Sequence, residues 1–291
     1  MKILVTGAYG QLGNEIKELE KQFPGYQFFF TDVDMLDIAN ETETEVFFEE
    51  HQPDFVVNCA AYTAVDKAET EEELAKKVNS VAPGILAKIS RQFKARLIHI
   101  STDYVFDGNS NKPYEETDAV NPNGIYGKTK LQGEINCLQG HPEALIIRTS
   151  WLYSSFGNNF VKTVLRLGRE RSVLNVVFDQ VGTPTYAADL AGTVMAIIKK
   201  SEKDPKRFMP GIYHYSNEGA VSWYDFAKAI LELSGIECEV LPVLSDKFPS
   251  PVKRPHYSVL NKSKIRDTFD IKIPYWRDSL KNCLAKIENN G

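Results

Sequence analysis

The chain has 291 residues, 43% hydrophobic and 25% charged, enough for one large core or two ordinary ones beneath a polar surface. Its formal charge of -5 comes without a basic run, so no nucleic-acid partner is expected. No apolar stretch approaches the roughly 18 residues of a membrane span, and the four cysteines at 59, 137, 238 and 283 form no C-x-x-C pair, so a reducing, cytoplasmic location is expected.

Met1-Lys-Ile-Leu-Val-Thr6 reads as a strand and runs directly into Gly7-Ala-Tyr-Gly10-Gln-Leu-Gly13, after which Leu12, Ile16 and Leu19 fall at helical spacing. Strand, glycine turn and helix in that order suit a pyrophosphate: glycine permits the turn and a close backbone approach, and the helix start offers free amides. A second strand, Tyr26 to Thr31, ends in Asp32-Val-Asp34. An acidic residue about 20 positions after such a fingerprint receives an adenosine ribose, which favours Asp32, with Asp34 second.

A helix from Asn40 to about His51 precedes a strand at Pro53 to Asn58, followed by the small residues Cys59, Ala60 and Ala61. Thr70-Glu-Glu-Glu73 reads as a capping box at a solvent-facing helix start, and a further helical pattern runs from Ala82 to Phe93. The strand Arg96 to Ile100 ends in Ser101-Thr102-Asp103-Tyr104, at the strand end where an open parallel sheet places its chemistry. Gly108 to Pro122 reads as a long functional loop. A helix from Gly124 to Leu138 carries Tyr126 and Lys130, and a strand spans Ala144 to Thr149. This alternation predicts an α/β fold: a Rossmann-type doubly wound parallel sheet over residues 1–150, rejoined by segments near 180–200 and 211–217. Residues 151–291 form most of a smaller, mixed substrate-binding domain. In it, helices are expected at Asn158 to Glu170, Ala187 to Lys199 and, behind the capping box Ser222-Trp-Tyr-Asp225, to Leu233.

Tyr126-x-x-x-Lys130 puts both side chains on one helical face. A lysine charge there is expected to lower the tyrosine pKa, making the phenol a proton donor or acceptor near neutral pH. Tyr224-Asp-Phe-Ala-Lys228 has the same spacing, but lies between Trp223 and Phe226 in the irregular half and reads as an aromatic core face.

The G-x-x-G-x-x-G spacing with Tyr126 and Lys130 resembles the short-chain dehydrogenase/reductase superfamily. Asn58 to Glu69, Ser101 to Phe106, Arg148 to Tyr153, Gly157 to Phe160, Asp179 to Thr185 and Arg254-Pro255 resemble the dTDP-4-dehydrorhamnose reductase family more closely. That resemblance implies NADH- or NADPH-dependent reduction of the 4-keto group of dTDP-4-dehydro-L-rhamnose. Thr102, Tyr126 and Lys130 are then catalytic. Gly7, Tyr9, Gly10, Gln11, Leu12, Gly13, Asp32, Asp37, Ile38, Cys59, Ala60, Ala61, Tyr126 and Lys130 hold the cofactor. Tyr104, Trp151, Asn159, Gln180 and Arg254 meet the nucleotide sugar, with Arg254 on the diphosphate. Asp32, without an arginine in the glycine loop, leans the choice to NADH. Other readings are a regulatory subunit that keeps the fold, against which the intact Thr102, Tyr126 and Lys130 argue, and an epimerase or dehydratase of another sugar nucleotide. Some members dimerise through Mg2+ and clustered carboxylates; Glu15 fits, but the region after Pro184 offers only Asp189, so a homodimer is admitted and no metal predicted.

Overall fold

A computed structural model describes residues 1–247 and 252–289. Six strands form one fully parallel sheet in the spatial order Gly211–Tyr215, Leu145–Thr149, Arg96–Thr102, Phe55–Asn58, Lys2–Thr6, Gln27–Thr31. Successive side chains of a strand point to opposite faces, and both faces here are covered. Ile3, Val5, Phe55, Val57, Ile98, Leu145 and Ile147 pack into one core cluster, and Leu4, Val56, Leu97 and Ile146 into another. Burial on both sides is why these strands read as continuous apolar runs.

Helices Gln11–Leu19 and Ala187–Lys203 pack together over the first face. Helices Glu41–His51, Ala82–Gln92 and Ile125–Gly140 cover the second. The chain reverses direction across the sheet between Lys2–Thr6 and Phe55–Asn58. Ligands of open α/β sheets bind outside the carboxyl ends of strands at such a switch, and the glycine turn sits there.

A third cluster gathers helices Phe160–Glu170, Trp223–Leu233 and Trp276–Asn289 around Tyr153, Phe226, Ile230 and Leu280. Beside it, Val173–Val177 pairs in parallel with Glu239–Val243, a strand absent from the sequence reading because Pro242 interrupts its pattern. The capping box at Ser222 and Asp225 is present. The one expected at Thr70 is not. Its hydroxyl donates to the Lys67 carbonyl (3.1 Å), and the following helix, Glu72–Lys76, starts from Glu71 without a side-chain cap. The turn ending Val65–Ala68 captures the hydroxyl before the next helix begins.

Candidate active site

The carboxyl ends of the strands open into a cavity of about 850 Å³ lined by Gly7, Gly10, Asp32, Cys59, Thr102, Tyr126, Lys130 and Trp151 among others. At its floor, Gly7 has φ +66, and a Cβ there would lie 2.6 Å from the Ala60 backbone. A Cβ on Gly13 would lie 2.5 Å from Ala8 Cα. At Gly10 it would meet only the Gly7 carbonyl oxygen, at 3.2 Å, so the space before the amides at the start of Gln11–Leu19 is open to a ligand. Cys59, Ala60 and Ala61 form one wall; behind it Asn58 Oδ1 accepts from Thr6 Oγ1 (2.8 Å) and Ala60 N (3.1 Å).

Asp32 closes the far end. Its carboxylate accepts from Tyr9 N (3.0 Å) and Val33 N (2.9 Å), which aims it along the rim. Gln11, Leu12, Asp37 and Ile38 also line the cavity. The Lys77 ammonium, 2.8 Å away, holds the Asp37 carboxyl below its usual range. Tyr9 is 59% exposed outside the lining.

Thr102 ends its strand, and Tyr126 opens the helix beside it. Close approach is built in: Cβ atoms on Gly127 and Gly133 would lie 2.3 Å from the Tyr104 carbonyl oxygen and 2.0 Å from that of Asn79. The helix has no cap of its own, Gly124 standing at that position. Glu69 supplies one from 56 residues away, its Oε1 accepting from Ile125 N at 2.7 Å. Tyr104 meets Tyr126 edge to face at 5.4 Å.

Lys130 is 2% exposed and donates to the Ile100 carbonyl at 2.7 Å. Burial pulls its pKa down to about 8, against the raising effect of Glu134. Glu134 is buried too, gripped by Arg148 in two hydrogen bonds (2.9 and 2.7 Å) and by Ser101 Oγ (2.5 Å). The expected depression of Tyr126 does not occur. Burial pushes its phenol above its ordinary value, opposed by a hydrogen bond with Thr102. Lys130 is aimed at Ile100 instead of the phenolic oxygen, so desolvation of the phenolate prevails. A tyrosine held neutral still suits the donation of a proton to a developing alkoxide, a far stronger base.

The residues expected to meet the substrate divide. Trp151 (φ +47) and Asn159 line the cavity. Trp151 stacks on Trp223 with centroids 3.5 Å apart. Asn159 is committed to the protein: it caps Phe160–Glu170 through Lys162 N (3.1 Å) and donates to Gln11 Oε1 (3.0 Å) and the Ser154 carbonyl (2.8 Å). Tyr104 lines the cavity, while Arg254 stands beyond it beside Tyr104, paired with Asp66 Oδ2 at 2.9 Å. Gln180 lies outside the lining, its amide given to Ser245 Oγ (2.8 Å).

Asn79 is fully buried in a π-helical turn, Lys77–Val81, and clamps both backbone groups of Tyr62 (2.9 and 3.0 Å). Sequence reasoning missed Glu69, Asp103 and Glu134. Two carried a signal: Asp103 follows Thr102 at the strand end, and Glu134 falls one helical turn after Lys130, on the same face. Among the described residues no cluster of three or more His, Cys, Asp or Glu could hold a metal, and no helix is long and apolar enough to cross a membrane.

Residues 1–289 match the family described as RmlD substrate binding domain. A solved dTDP-4-dehydrorhamnose reductase from Clostridium acetobutylicum is 45% identical, covers 99% of this chain and 100% of its own, and superposes with a TM-score of 0.91. This chain belongs to the dTDP-4-dehydrorhamnose reductase family. A reductase of the same name from Bacillus anthracis, solved in complex with NADP, is 39% identical with a TM-score of 0.91, over 98% of this chain and 99% of that one. The Bacillus subtilis spore coat polysaccharide biosynthesis protein SpsK is 42% identical over 98% of this chain and 97% of its own length. The cavity's glycine floor, small-residue wall and acidic rim fit the dinucleotide that this reductase family uses.

Proposed function

We propose that the chain reduces the 4-keto group of dTDP-4-dehydro-L-rhamnose to give dTDP-L-rhamnose, with NADH or NADPH as reductant. The observation that carries this reading is the convergence of Thr102, Tyr126 and Lys130 on one cavity with the glycine turn, in a chain of this family. When bound, the reduced nicotinamide supplies the hydride. Gly7, Gly10 and the first amides of Gln11–Leu19 receive the pyrophosphate, Cys59 to Ala61 flank the dinucleotide, and Lys130 holds the nicotinamide ribose. Tyr126 gives its proton to the keto oxygen as that oxygen gains charge, and Thr102 orients it. Donors that strengthen their bonds only as charge develops contribute most to rate.

Tyr104 and Trp151 border the sugar, and Arg254 exchanges Asp66 for the diphosphate, which suits a planar guanidinium. The preference for NADH rests on Asp32: its carboxylate would repel a 2′-phosphate, and Lys130 is the one cation among the described residues lining the cavity. A cytoplasmic homodimer completes the reading. The test is oxidation of NADH and of NADPH by the purified protein with dTDP-4-dehydro-L-rhamnose. Turnover that favours NADH, with Asp32→Ala narrowing the preference, supports the proposal; no turnover with either reductant overturns it.

A further inference from the structure

A threonine hydroxyl has one proton and two lone pairs. Thr102 gives its proton to Asp103 Oδ1 at 3.0 Å and accepts from Tyr104 N at 3.2 Å, with the Tyr126 hydroxyl beside it. In that arrangement its proton is committed to Asp103, and it cannot donate to a keto oxygen. Asp103 is 2% exposed yet belongs to the cavity lining, and its Oδ2 makes no hydrogen bond of standard geometry among the described residues.

We propose that Asp103 is a positioning residue for the reduction: when protonated, it reverses the Asp103–Thr102 hydrogen bond, so that Thr102 joins Tyr126 in donating to the keto oxygen. This deepens the reductase reading and rests on it. With that bond reversed, the Asp103 O–H donates to Thr102 Oγ1, and the Thr102 O–H turns into the cavity. The Tyr126 O–H bond breaks as its proton passes to the reduced oxygen, leaving a phenolate. Thr102 then passes its proton to the phenolate while taking the one from Asp103. One proton from solvent, entering through the cavity, restores the acid for each turnover.

Independent of this geometry, burial pushes Asp103 up to about 6 against the opposing influence of the neighbouring Ser258 hydroxyl and the hydrogen bond from Thr102, so its acid form is reachable near neutral pH. The groups that face it are Thr102, Ser258, Tyr104 and Tyr126, with Arg254 and Asp66 beyond Tyr104.

The experiment compares kcat against pH for wild type and Asp103→Asn, with a titration of the Asp103 carboxyl by carbon NMR in wild type and Thr102→Val. Loss of an oxyanion donor costs on the order of 10²-fold in rate, so wild-type kcat is expected to fall at least tenfold as pH rises through the Asp103 titration. In Asp103→Asn that limb disappears while KM for the nucleotide sugar moves less than about threefold. Thr102→Val, which removes a hydrogen bond to the ionised form, raises the Asp103 midpoint. A limb that survives in Asp103→Asn, or a midpoint indifferent to Thr102→Val, overturns the proposal. The NMR titration needs no turnover, so failure of the reductase reading, seen as an inactive wild type, is distinguishable from failure of this one.

Discussion

Two helices of this molecule carry the same Tyr-x-x-x-Lys spacing, and they differ in everything except spacing. At Tyr126 and Lys130 the helix is pressed against backbone at Gly127 and Gly133, the lysine is buried on the Ile100 carbonyl, and the helix start is capped by Glu69 from a distant segment. At Tyr224 and Lys228 the helix begins on its own local cap, Ser222, and the exposed ammonium lies over the tyrosine ring, 5.8 Å from its centroid. Spacing places two side chains on one face; the surroundings decide whether that face can do chemistry.

The sharpest way to break the comparison is to remove each phenolic oxygen in turn. Tyr126→Phe keeps the ring and its edge-to-face contact with Tyr104 but deletes the proposed proton donor. General acid catalysis contributes on the order of 10²- to 10⁴-fold, so kcat for reduction of the keto sugar should fall by about 10³, with KM for the reductant little changed. Tyr224→Phe should leave kcat within about twofold. Equal losses in steady-state assays of the two variants would show that position in the fold had been misjudged.

The contrast was legible because the first pair follows an alternating strand–helix rhythm and a Ser-Thr-Asp strand end, whereas the second sits in an aromatic run. Short-range patterns carried the sheet, the glycine turn and the place of Asp32 at the cavity rim, since each depends on residues adjacent in sequence. What escaped notice was long-range. Glu69 as a cap for Ile125, Asp66 on Arg254 and Gln180 on Ser245 join segments 56, 188 and 65 residues apart, and no local pattern marks them. The pKa expectation at Tyr126 failed for a related reason: spacing brings Lys130 near, but only tertiary packing determines how dry the site is and where the ammonium points. The Thr70 box matched a motif whose hydroxyl had a nearer acceptor in the preceding turn.

The buried lysine offers a second separation of the two helices, read in stability. Burial lowers Lys130 to about 8 from its ordinary 10.5, so the folded state binds fewer protons than the unfolded state between those values. Stability therefore rises as pH rises through that window, and holding the charge at pH 7 costs about 3 kcal/mol. Relative to Lys130→Met, wild type should gain roughly that amount between pH 7 and 10.5 in urea unfolding, while the mutant loses about 10²-fold in kcat. Lys228→Met should change stability by less than about 1 kcal/mol, the scale of an exposed cation–π contact.

The smallest effect separates the helices by their caps. Glu69→Ala and Ser222→Ala each remove one acceptor from a helix start, and each should cost about 1 kcal/mol in unfolding free energy. Their consequences for turnover should diverge. Ile125, whose amide Glu69 satisfies, immediately precedes Tyr126, so loss of the cap frees the first turn of the helix and with it the aim of the phenol. A misplacement on the order of 1 Å can cost about 10²-fold in rate, and partial fraying should lower kcat by about three- to tenfold in Glu69→Ala. Ser222→Ala frays a helix whose first turn touches only the aromatic cluster, and kcat should stay within about twofold. If the two variants lose stability equally and turnover equally, the long-range cap is no more than a structural tie, and the position of Tyr126 is set wholly by the close packing of Gly127 and Gly133.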